Sequence, residues 1–330
     1  MRPDGEFDRI RAMLAIAADL DSPDEVVLGA GDDAAVIRPT PGESIVLSTD
    51  LSIEGIHFRR DWLNWEAIGY RATAAALSDL AAMAARPIGV LVSLALPPEL
   101  DTPVYEQISA GITACLRSAG AVLLGGDTSS SPAPVLIDIT AVGGVRRPIK
   151  RSGATSGDEV WVTGRLGAAA SAVLALQSGL EPDPSVRGRF ERPEPRWREA
   201  MWLAKRNALT AAIDLSDGLA GDAEHLSEAS GIRLDIEVDR LPLDVSLEGW
   251  SNTSVSLAIA AGGGEDYELL FTSSPGVISG LLREFHSTFG LELTRIGDVV
   301  AGAGVSWRDR TGGPTDPPAS AGYDHFTDRA

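Results

Sequence analysis

The sequence predicts an α/β protein built from two domains. Apolar runs short enough for buried strands alternate with longer segments of helical periodicity along the whole chain. A chain of 330 residues, of which 44% are hydrophobic, is long enough to bury more than one core. A basic and then glycine-rich stretch over residues 146–158 interrupts the alternation. We therefore expect one domain over residues 1–148 and a second over residues 149–330.

In the first half, two helices are predicted from periodicity and composition. Apolar residues recur at helical spacing over residues 6–20, and an alanine-rich stretch over residues 67–85 stops before Pro87. The other predicted elements of this half are strands over residues 44–50, 89–96, 121–124 and 135–142 and a helix over residues 103–118.

In the second half the same alternation begins again. A strand leads into Asp214, and the helix that follows it ends at Gly231, because glycine is favoured at helix C-termini. The proline- and arginine-rich segment over residues 181–198 predicts a mobile surface loop. The other predicted elements are strands over residues 159–163 and 269–271, helices over residues 167–177 and 277–289, and a pair of strands over residues 291–300.

The composition argues against several kinds of partner. The formal net charge is −19, and only two lysines stand against 26 arginines. Nucleic acids and anionic membranes are bound through clustered basic side chains, so neither is an expected partner. The single cysteine, Cys115, excludes an intramolecular disulfide and a multi-cysteine metal site. Without a signal-peptide pattern or a long apolar run, the sequence predicts a cytoplasmic protein.

Acidic and hydroxyl side chains recur where predicted strands end. Any one such motif is typical of a turn or a helix cap. Taken together, the carboxylates are the ligands that Mg²⁺ prefers, and the chain has no lysine-containing phosphate loop that could neutralise a phosphate instead. The set therefore predicts several Mg²⁺ ions beside a phosphorylated substrate. Its members are Asp32-Asp33, Ser48-Thr49-Asp50, Gly126-Asp127-Thr128, Asp214-x-Ser216-Asp217 and Gly264-Glu265-Asp266, with Asp79 inside the alanine-rich helix.

Ten motifs in order make the sequence resemble the thiamine-monophosphate kinase family, within the superfamily of aminoimidazole ribonucleotide synthetase. The resemblance covers nearly the whole chain. The motifs are Gly5-Glu6-Phe7, Gly31-Asp32-Asp33-Ala34, Ser48-Thr49-Asp50, Glu54-Gly55-x-His57-Phe58, Leu77-Ser78-Asp79-Leu80-Ala81-Ala82-Met83, Gly125-Gly126-Asp127-Thr128, Arg151-Ser152-Gly153-Ala154, Ile213-Asp214-Leu215-Ser216-Asp217-Gly218-Leu219, Gly263-Gly264-Glu265-Asp266-Tyr267-Glu268-Leu269 and Gly322-Tyr323-Asp324-His325-Phe326.

This resemblance implies ATP-dependent phosphorylation of thiamine monophosphate to thiamine diphosphate. It also implies roles for individual residues. The Mg²⁺ ligands would be Asp33, Ser48, Thr49, Asp50, Asp79, Asp127, Asp214 and Asp217. ATP would be bound by Gly126, Asp127, Arg151 and Ser216, and thiamine monophosphate by His57, Glu265 and Tyr323. The implied fold is an N-terminal domain whose mixed sheet pairs across a homodimer and a C-terminal α/β domain that completes the nucleotide and substrate site.

Direct in-line transfer is the mechanism that this assignment implies. A phosphate monoester is already largely ionised at neutral pH, so the acceptor needs no strong general base. The side chains would then align two phosphates and neutralise their charge, with Asp33, Asp50, Asp217 and Arg151 assisting.

Two classes of alternative stay open, another enzyme of the same superfamily and a protein without catalytic activity. Another ATP-using enzyme of the superfamily, such as a purine-pathway synthetase, would share the acids but would not explain the motifs around Glu265 and Tyr323. Selenophosphate synthesis or carbamoyl dehydration would call for a cysteine near one terminus, and Cys115 lies near neither. A catalytically silent nucleotide- or metal-binding protein would have lost some of the acids, and all of the expected ones are present.

Overall fold

The computed structural model describes residues 5–248 and 252–318. The chain divides into two compact units, the first comprising Met1–Leu80 and Ala85–Arg147 and the second Ala81–Ala84 and Pro148–Ala330. Each unit contains its own mixed sheet with helices packed against it. The predicted α/β fold class is confirmed.

The first unit is built on a four-stranded mixed sheet in the order β3-β6-β4-β5. Strands β3 and β6 pair antiparallel over ten residues each, and β4 pairs antiparallel with β6 and parallel with β5. A short antiparallel pair, β1 and β2, flanks the loop that contains Asp33. The elements are α1 (Glu6–Ala17), β1 (Val26–Leu28), β2 (Val36–Ile37), β3 (Ser44–Ile53), α2 (Trp65–Ala82), β4 (Arg86–Leu96), α3 (Thr102–Ala119), β5 (Val122–Ser130) and β6 (Leu136–Val145).

Helices α2 and α3 approach each other at two glycines. A Cβ atom on Gly69 would lie 2.2 Å from the carbonyl oxygen of Ile108, and one on Gly111 would lie 1.9 Å from that of Glu66. Both distances are far below van der Waals contact, so any side chain at either position would force the two backbones apart. This close crossing fixes α2, and with it Asp79, in the first unit.

The second unit is built on a six-stranded sheet in the order β12-β9-β11-β7-β10-β8. Only β12 and β9 pair in parallel, and the other neighbours are antiparallel. The elements are β7 (Glu159–Thr163), α4 (Ala168–Gln177), α5 (Pro184–Glu191), α6 (Trp197–Lys205), β8 (Ala211–Asp214), α7 (Leu219–Ser230), β9 (Arg233–Glu237), a 3₁₀ turn (Val238–Arg240), α8 (Val245–Glu248), α9 (Thr253–Gly262), β10 (Leu269–Ser273), α10 (Val277–Phe289), β11 (Leu293–Val300) and β12 (Gly304–Arg308).

Several predicted element boundaries are wrong. Strands β3 and β5 run through the acidic motifs that were expected at their ends, because ladder pairing with β6 and β4 continues past them. The helix expected to stop at Pro87 ends at Ala82, and Pro87 instead lies in β4. The strand pair expected over residues 291–300 is one strand, β11, followed by β12.

The segment over residues 181–198 is not the mobile surface loop that its composition suggested. It forms α5 and the start of α6, and Val186 and Phe190 are buried. Asp183 caps α5 by accepting a hydrogen bond from the backbone N–H of Ser185 at 2.9 Å. The prolines lie at a helix start and between helices, where they are compatible with the fold.

Candidate active site

In the first unit, Asp32 and Asp33 lie in the exposed loop between β1 and β2. The Oδ1 atom of Asp32 accepts a hydrogen bond from the N–H of Asp33 at 2.8 Å. This bond stabilises the turn and leaves the carboxylate of Asp33 exposed. The two acids therefore differ in role, with Asp32 shaping the loop and Asp33 available to a ligand.

The motif Ser48-Thr49-Asp50 lies within β3, so its side chains lie alternately on the two faces of the first sheet. The hydroxyl of Ser48 donates a hydrogen bond to the Oδ2 atom of Asp79 on α2, and Asp50 lies on the same face of the strand because side chains alternate. The hydroxyl of Thr49 lies on the opposite face, where it donates to Asp138 Oδ1 at 3.0 Å. Ser48, Asp50 and Asp79 therefore share one face, and Thr49 could join them only through its backbone.

Gly126 and Asp127 lie within the edge strand β5, and the side chain of Asp127 is exposed. A Cβ atom on Gly126 would lie 1.8 Å from the carbonyl oxygen of Val92 on β4. Only glycine therefore allows this part of β5 to pair with its neighbour. The requirement for glycine here is already explained by strand packing, and contact with a nucleotide remains a prediction.

His57 lies in a tight turn after β3. The ring atom Nδ1 accepts a hydrogen bond from the backbone N–H of Ile53 at 3.0 Å. The backbone N–H of His57 donates to the carbonyl of Ile53 at 2.9 Å. Because Nδ1 is the acceptor in the neutral ring, Nε2 holds the ring hydrogen. The ring is half-buried, and an Nε2–H has the chemistry of a donor to a phosphate or hydroxyl oxygen.

In the second unit, three carboxylates surround the start of α7. Asp214 ends β8 and is buried, and the N–H of Asp217 donates to Asp222 Oδ2 at 3.2 Å. Burial, followed by the negative charges of Asp214 and Asp217, raises the pKa of Asp222 to about 8. The positive charge of Arg151 acts in the opposite direction on the same pKa, with a smaller effect.

Asp222 is a further acid beside Asp214 and Asp217 that the sequence did not predict. It is an acid in the first turn of a helix, a placement normally explained by the helix dipole alone. The available signal was its spacing, because residue 222 lies one helical turn beyond the Asp217-Gly218 loop and its side chain can reach back to it.

Two loops of the second unit, the acidic loop over residues 215–218 and the glutamate loop over residues 263–267, are joined through their backbones. The N–H of Glu265 donates to the carbonyl of Ser216 at 2.8 Å, and that of Tyr267 donates to the carbonyl of Leu215 at 3.0 Å. Gly264 lies against the same loop, since a Cβ there would be 2.4 Å from the carbonyl oxygen of Ser216. The predicted ATP ligand Ser216 and the predicted substrate ligand Glu265 are thus brought together.

The glutamate loop is held in a conformation that its side chains do not favour. Glu265 and Tyr267 have φ values of +68° and +51°. Left-handed backbone costs a non-glycine residue about 1 kcal/mol or more and persists only where the surroundings impose it. Such residues cluster at binding and catalytic sites, which is consistent with a functional role for this loop.

Hydrogen bonds of Asp266 and Glu268 hold the backbone of this loop. Asp266 accepts hydrogen bonds from the N–H groups of Gly167, at 2.7 Å, and Ala169, at 3.4 Å, at the start of α4. Burial raises the pKa of Asp266 to about 7, although these two bonds lower it. Glu268 is fully buried and accepts from Arg196 at 2.6 and 2.8 Å and from the hydroxyl of Thr163 at 2.6 Å.

The donor chemistry suits Mg²⁺, although the described residues do not assemble a complete metal site. Carboxylate and hydroxyl oxygens are the ligands that a hard cation takes, and a cation would offset the negative charges of Asp214 and Asp217, which after burial are the next largest cause of the raised pKa of Asp222. No group of three or more His, Cys, Asp or Glu side chains in residues 5–248 and 252–318 is arranged so that it could hold a metal ion. The predicted substrate residue Tyr323, with the motif over residues 322–326, lies outside these residues.

None of the helices in this described part is both long and apolar enough to cross a bilayer.

Comparison with known proteins identifies the family. Two family models match: AIR synthase related protein, N-terminal domain, over residues 31–145 and AIR synthase related protein, C-terminal domain, over residues 155–309. Thiamine-monophosphate kinase of Salmonella typhimurium is 35% identical over 325 residues, which cover 97% of this chain and 95% of that protein.

Solved structures agree with the sequence comparison. The crystal structure of thiamine-monophosphate kinase from Stenotrophomonas maltophilia K279a has a TM-score of 0.80 and 34% identity, covering 91% of this chain and 94% of that chain. AaThiL complexed with AMPPCP and TMP has a TM-score of 0.75 and 31% identity, covering 98% of this chain and 97% of that chain. The chain belongs to the thiamine-monophosphate kinase family, and the predicted enzyme class, a phosphotransferase, is confirmed.

Proposed function

We propose that this protein transfers the γ-phosphoryl group of ATP to the phosphate of thiamine monophosphate, yielding thiamine diphosphate and ADP. The observation that carries the proposal is the likeness, over nearly the whole of both chains, to AaThiL complexed with AMPPCP and TMP, which are a nucleotide analogue and a monophosphate. The interlocked loops at Ser216 and Glu265 support it, because they place a predicted nucleotide ligand next to a predicted substrate ligand.

The acids of both units have the chemistry to hold Mg²⁺ beside the phosphates. In the first unit these are Asp33, Ser48, Asp50, Asp79 and Asp127, with Thr49 through its backbone. In the second unit they are Asp214 and Asp217, with Asp222 packed behind them. Bound Mg²⁺ would neutralise the negative charge on the phosphate oxygens. Gly126, Arg151 and Ser216 complete the proposed ATP ligands.

The proposed transfer is direct. An ionised oxygen of the acceptor phosphate forms a bond to the γ-phosphorus while the bond to the bridging oxygen of ADP breaks. No protein nucleophile is needed, so the residues supply alignment and charge. Arg151 is exposed and positively charged, and its guanidinium would contact the ATP phosphates.

His57, Glu265 and Tyr323 are the proposed ligands of thiamine monophosphate. The Nε2–H of His57 suits an oxygen of the phosphate, and the carboxylate of Glu265 suits the cationic thiazolium or a ring N–H donor. Tyr323 would supply an aromatic face for the cationic ring.

We also propose that the protein is a homodimer formed through the sheet of the first unit. Leu47 and Leu51 on β3 are 66% and 48% exposed, and Leu91 on β4 is 39% exposed. Leu91 and Thr49 both pair with Thr140 on β6, so all of these side chains lie on one face. An exposed apolar sheet face is typical of an association surface. A second copy of this chain is the proposed partner.

The test is a coupled assay of the purified protein with ATP, Mg²⁺ and thiamine monophosphate. We expect one ADP and one thiamine diphosphate per turnover, and no product with free thiamine, which lacks the ionised phosphate. Binding of Mg·ATP without formation of thiamine diphosphate would contradict the proposed acceptor and return the assignment to another member of the superfamily or to a silent binding protein.

A further inference from the structure

The loop that contains Arg151 packs against β8, the strand that precedes the acidic loop. The carbonyl of Lys150 accepts a hydrogen bond from the N–H of Ala212 on β8 at 3.2 Å. A Cβ on Gly153 would lie 2.0 Å from the carbonyl oxygen of Thr210, so only glycine allows this approach. The start of the loop is thus fixed to β8, which ends at Asp214.

The rest of this loop is held by one hydroxyl group, that of Ser230. Its Oγ atom donates to the carbonyl of Arg151 at 2.6 Å and accepts from the N–H groups of Gly153 and Ala154, each at 3.2 Å. A serine hydroxyl has one donor and two acceptor sites, so all three are used on this loop. Ser230 is the last residue of α7, the helix that begins directly after the acidic loop.

We infer that Ser230 is a positioning residue for Arg151 in phosphoryl transfer. Helix α7 is a rigid rod with the acidic loop at its start and Ser230 at its end. Ser230 fixes the backbone from which the guanidinium extends, and the helix that ends at Ser230 begins directly after Asp217 and Gly218. The helix therefore sets the distance between the acids and the arginine.

Loss of the hydroxyl is expected to loosen Arg151 rather than to unfold the protein. Ser230 is only half-buried, and the three backbone groups that it leaves can bond to water. A mobile loop must be ordered again when ATP binds, which weakens binding. The inference rests on the proposed role of Arg151 toward ATP.

The experiment compares Ser230→Ala with Ser230→Thr and Ser227→Ala in the full-length protein. We expect Ser230→Ala to raise the KM for ATP about tenfold, corresponding to the loss of one or two net hydrogen bonds, and to leave the KM for thiamine monophosphate unchanged. Ser230→Thr keeps the hydroxyl and should restore the KM for ATP.

Ser227→Ala is the matched control. Ser227 lies on the same helix, and its hydroxyl accepts from the N–H of Gly304 at 2.9 Å and has the carbonyls of Ile232 and Gly304 within reach of its one hydrogen, so its partners lie outside the Arg151 loop. We expect it to lower thermal stability with no change in the KM for ATP. An equal rise in this KM for Ser227→Ala would overturn the inference, because the effect would then be a general one of α7.

A double-mutant cycle with Arg151→Ala separates this inference from the proposed function. If Ser230 acts through Arg151, Ser230→Ala adds nothing in the Arg151→Ala background. Wild-type affinity for a non-hydrolysable Mg·ATP analogue in Arg151→Ala, measured by calorimetry, would contradict the role of Arg151 itself. If Arg151→Ala weakens binding but Ser230→Ala binds like the wild type, the role of Ser230 alone would be overturned. The same conclusion would follow if the effects of the two substitutions add in the double variant.

Discussion

Two neighbouring carboxylates in the first unit show how similar residues acquire different tasks. The Oδ1 atom of Asp32 bonds to the backbone of its own loop, whereas the carboxylate of Asp33 stays exposed. In the second unit, Asp217 lies at the start of a helix, beside two further acids. In the first loop, Asp32 and Asp33 are thus distinguished by the hydrogen bond that Asp32 makes to the backbone.

Asp33→Asn and Asp217→Asn are each expected to lower kcat by at least about a hundredfold, because each removes a full charge from the acids proposed to hold the Mg²⁺ that neutralises the phosphates. The measurement is steady-state kinetics with circular dichroism as a check on folding. Asp32→Asn is the control for the first loop, since an asparagine Oδ1 can still accept from Asp33, and its loss of activity should be much smaller. Normal turnover in either of the first two variants would contradict a Mg²⁺ role for that residue.

Asp266 makes stability depend on pH. Burial raises its pKa from 3.8 to about 7, so between these values the unfolded chain releases a proton that the folded chain retains. The free energy of unfolding therefore falls as pH rises through this range, by up to about 1.4 kcal/mol per pH unit, and levels off above pH 7. Neighbouring Glu268 raises the pKa and Arg189 lowers it.

Asp266→Asn keeps an oxygen acceptor for the N–H of Gly167 and cannot ionise. We expect it to match the wild type at pH 4 and to become relatively more stable up to pH 7. Urea unfolding of both proteins at several pH values measures this difference, and the other titrating groups cancel in the comparison. A difference in stability between the two proteins that does not change with pH would contradict the raised pKa of Asp266.

At the scale of elements, the segment over residues 181–198 shows what composition can hide. Its prolines and arginines are typical of a surface loop, yet Arg196 pairs with the buried Glu268 that follows the glutamate loop. A buried ion pair depends on a partner 72 positions away, and no local pattern reveals that. The α/β class could be predicted because periodicity is local. The pairing of Arg196, like the burial of Asp222, is set by tertiary contacts.

Arg196→Ala is expected to destabilise the protein by about 3–5 kcal/mol, because it leaves Glu268 charged and buried with only part of its hydrogen bonding. Arg187→Ala is the control in the same segment, since Arg187 pairs with Glu181 and Glu191, which are more exposed, and should cost about 1 kcal/mol or less. Chemical denaturation measures both. Equal losses of unfolding free energy in the two variants would show that the buried pair of Arg196 and Glu268 contributes no more to stability than the ion pairs of Arg187.

The lengths of the strands also depend on tertiary pairing. Glycine, aspartate and serine in Gly126-Asp127-Thr128 are typical of a turn, but ladder pairing with β4 keeps these residues in β5. The positions of the acids in the chain could be predicted from the sequence. The face of the sheet on which each acidic side chain lies could not. Thr49 lies on the opposite face from Asp50 only because both belong to a paired strand rather than to a loop.

For the whole molecule, association of two copies is the proposal with the clearest structural consequence. Leu47→Glu places a charge on the exposed apolar face of the first sheet and is expected to convert a dimer into monomers. Leu180→Glu is the matched control, because Leu180 in the second unit is similarly exposed, at 65%, and lies outside that sheet. Sedimentation analysis measures the result. A monomeric wild type, or a dimer that survives Leu47→Glu, would contradict the proposal.

Strand β3 links this surface to the proposed chemistry. Its even-numbered positions include Ser48 and Asp50, and its odd-numbered positions include Leu47 and Leu51. A deletion or insertion of one codon within the strand would exchange the two faces, directing leucines inward and acids outward. Point substitutions are therefore expected to change the proposed metal binding or the proposed association separately, whereas a single-residue length change would destroy both. We expect this strand to tolerate drift in composition over evolution but not in length.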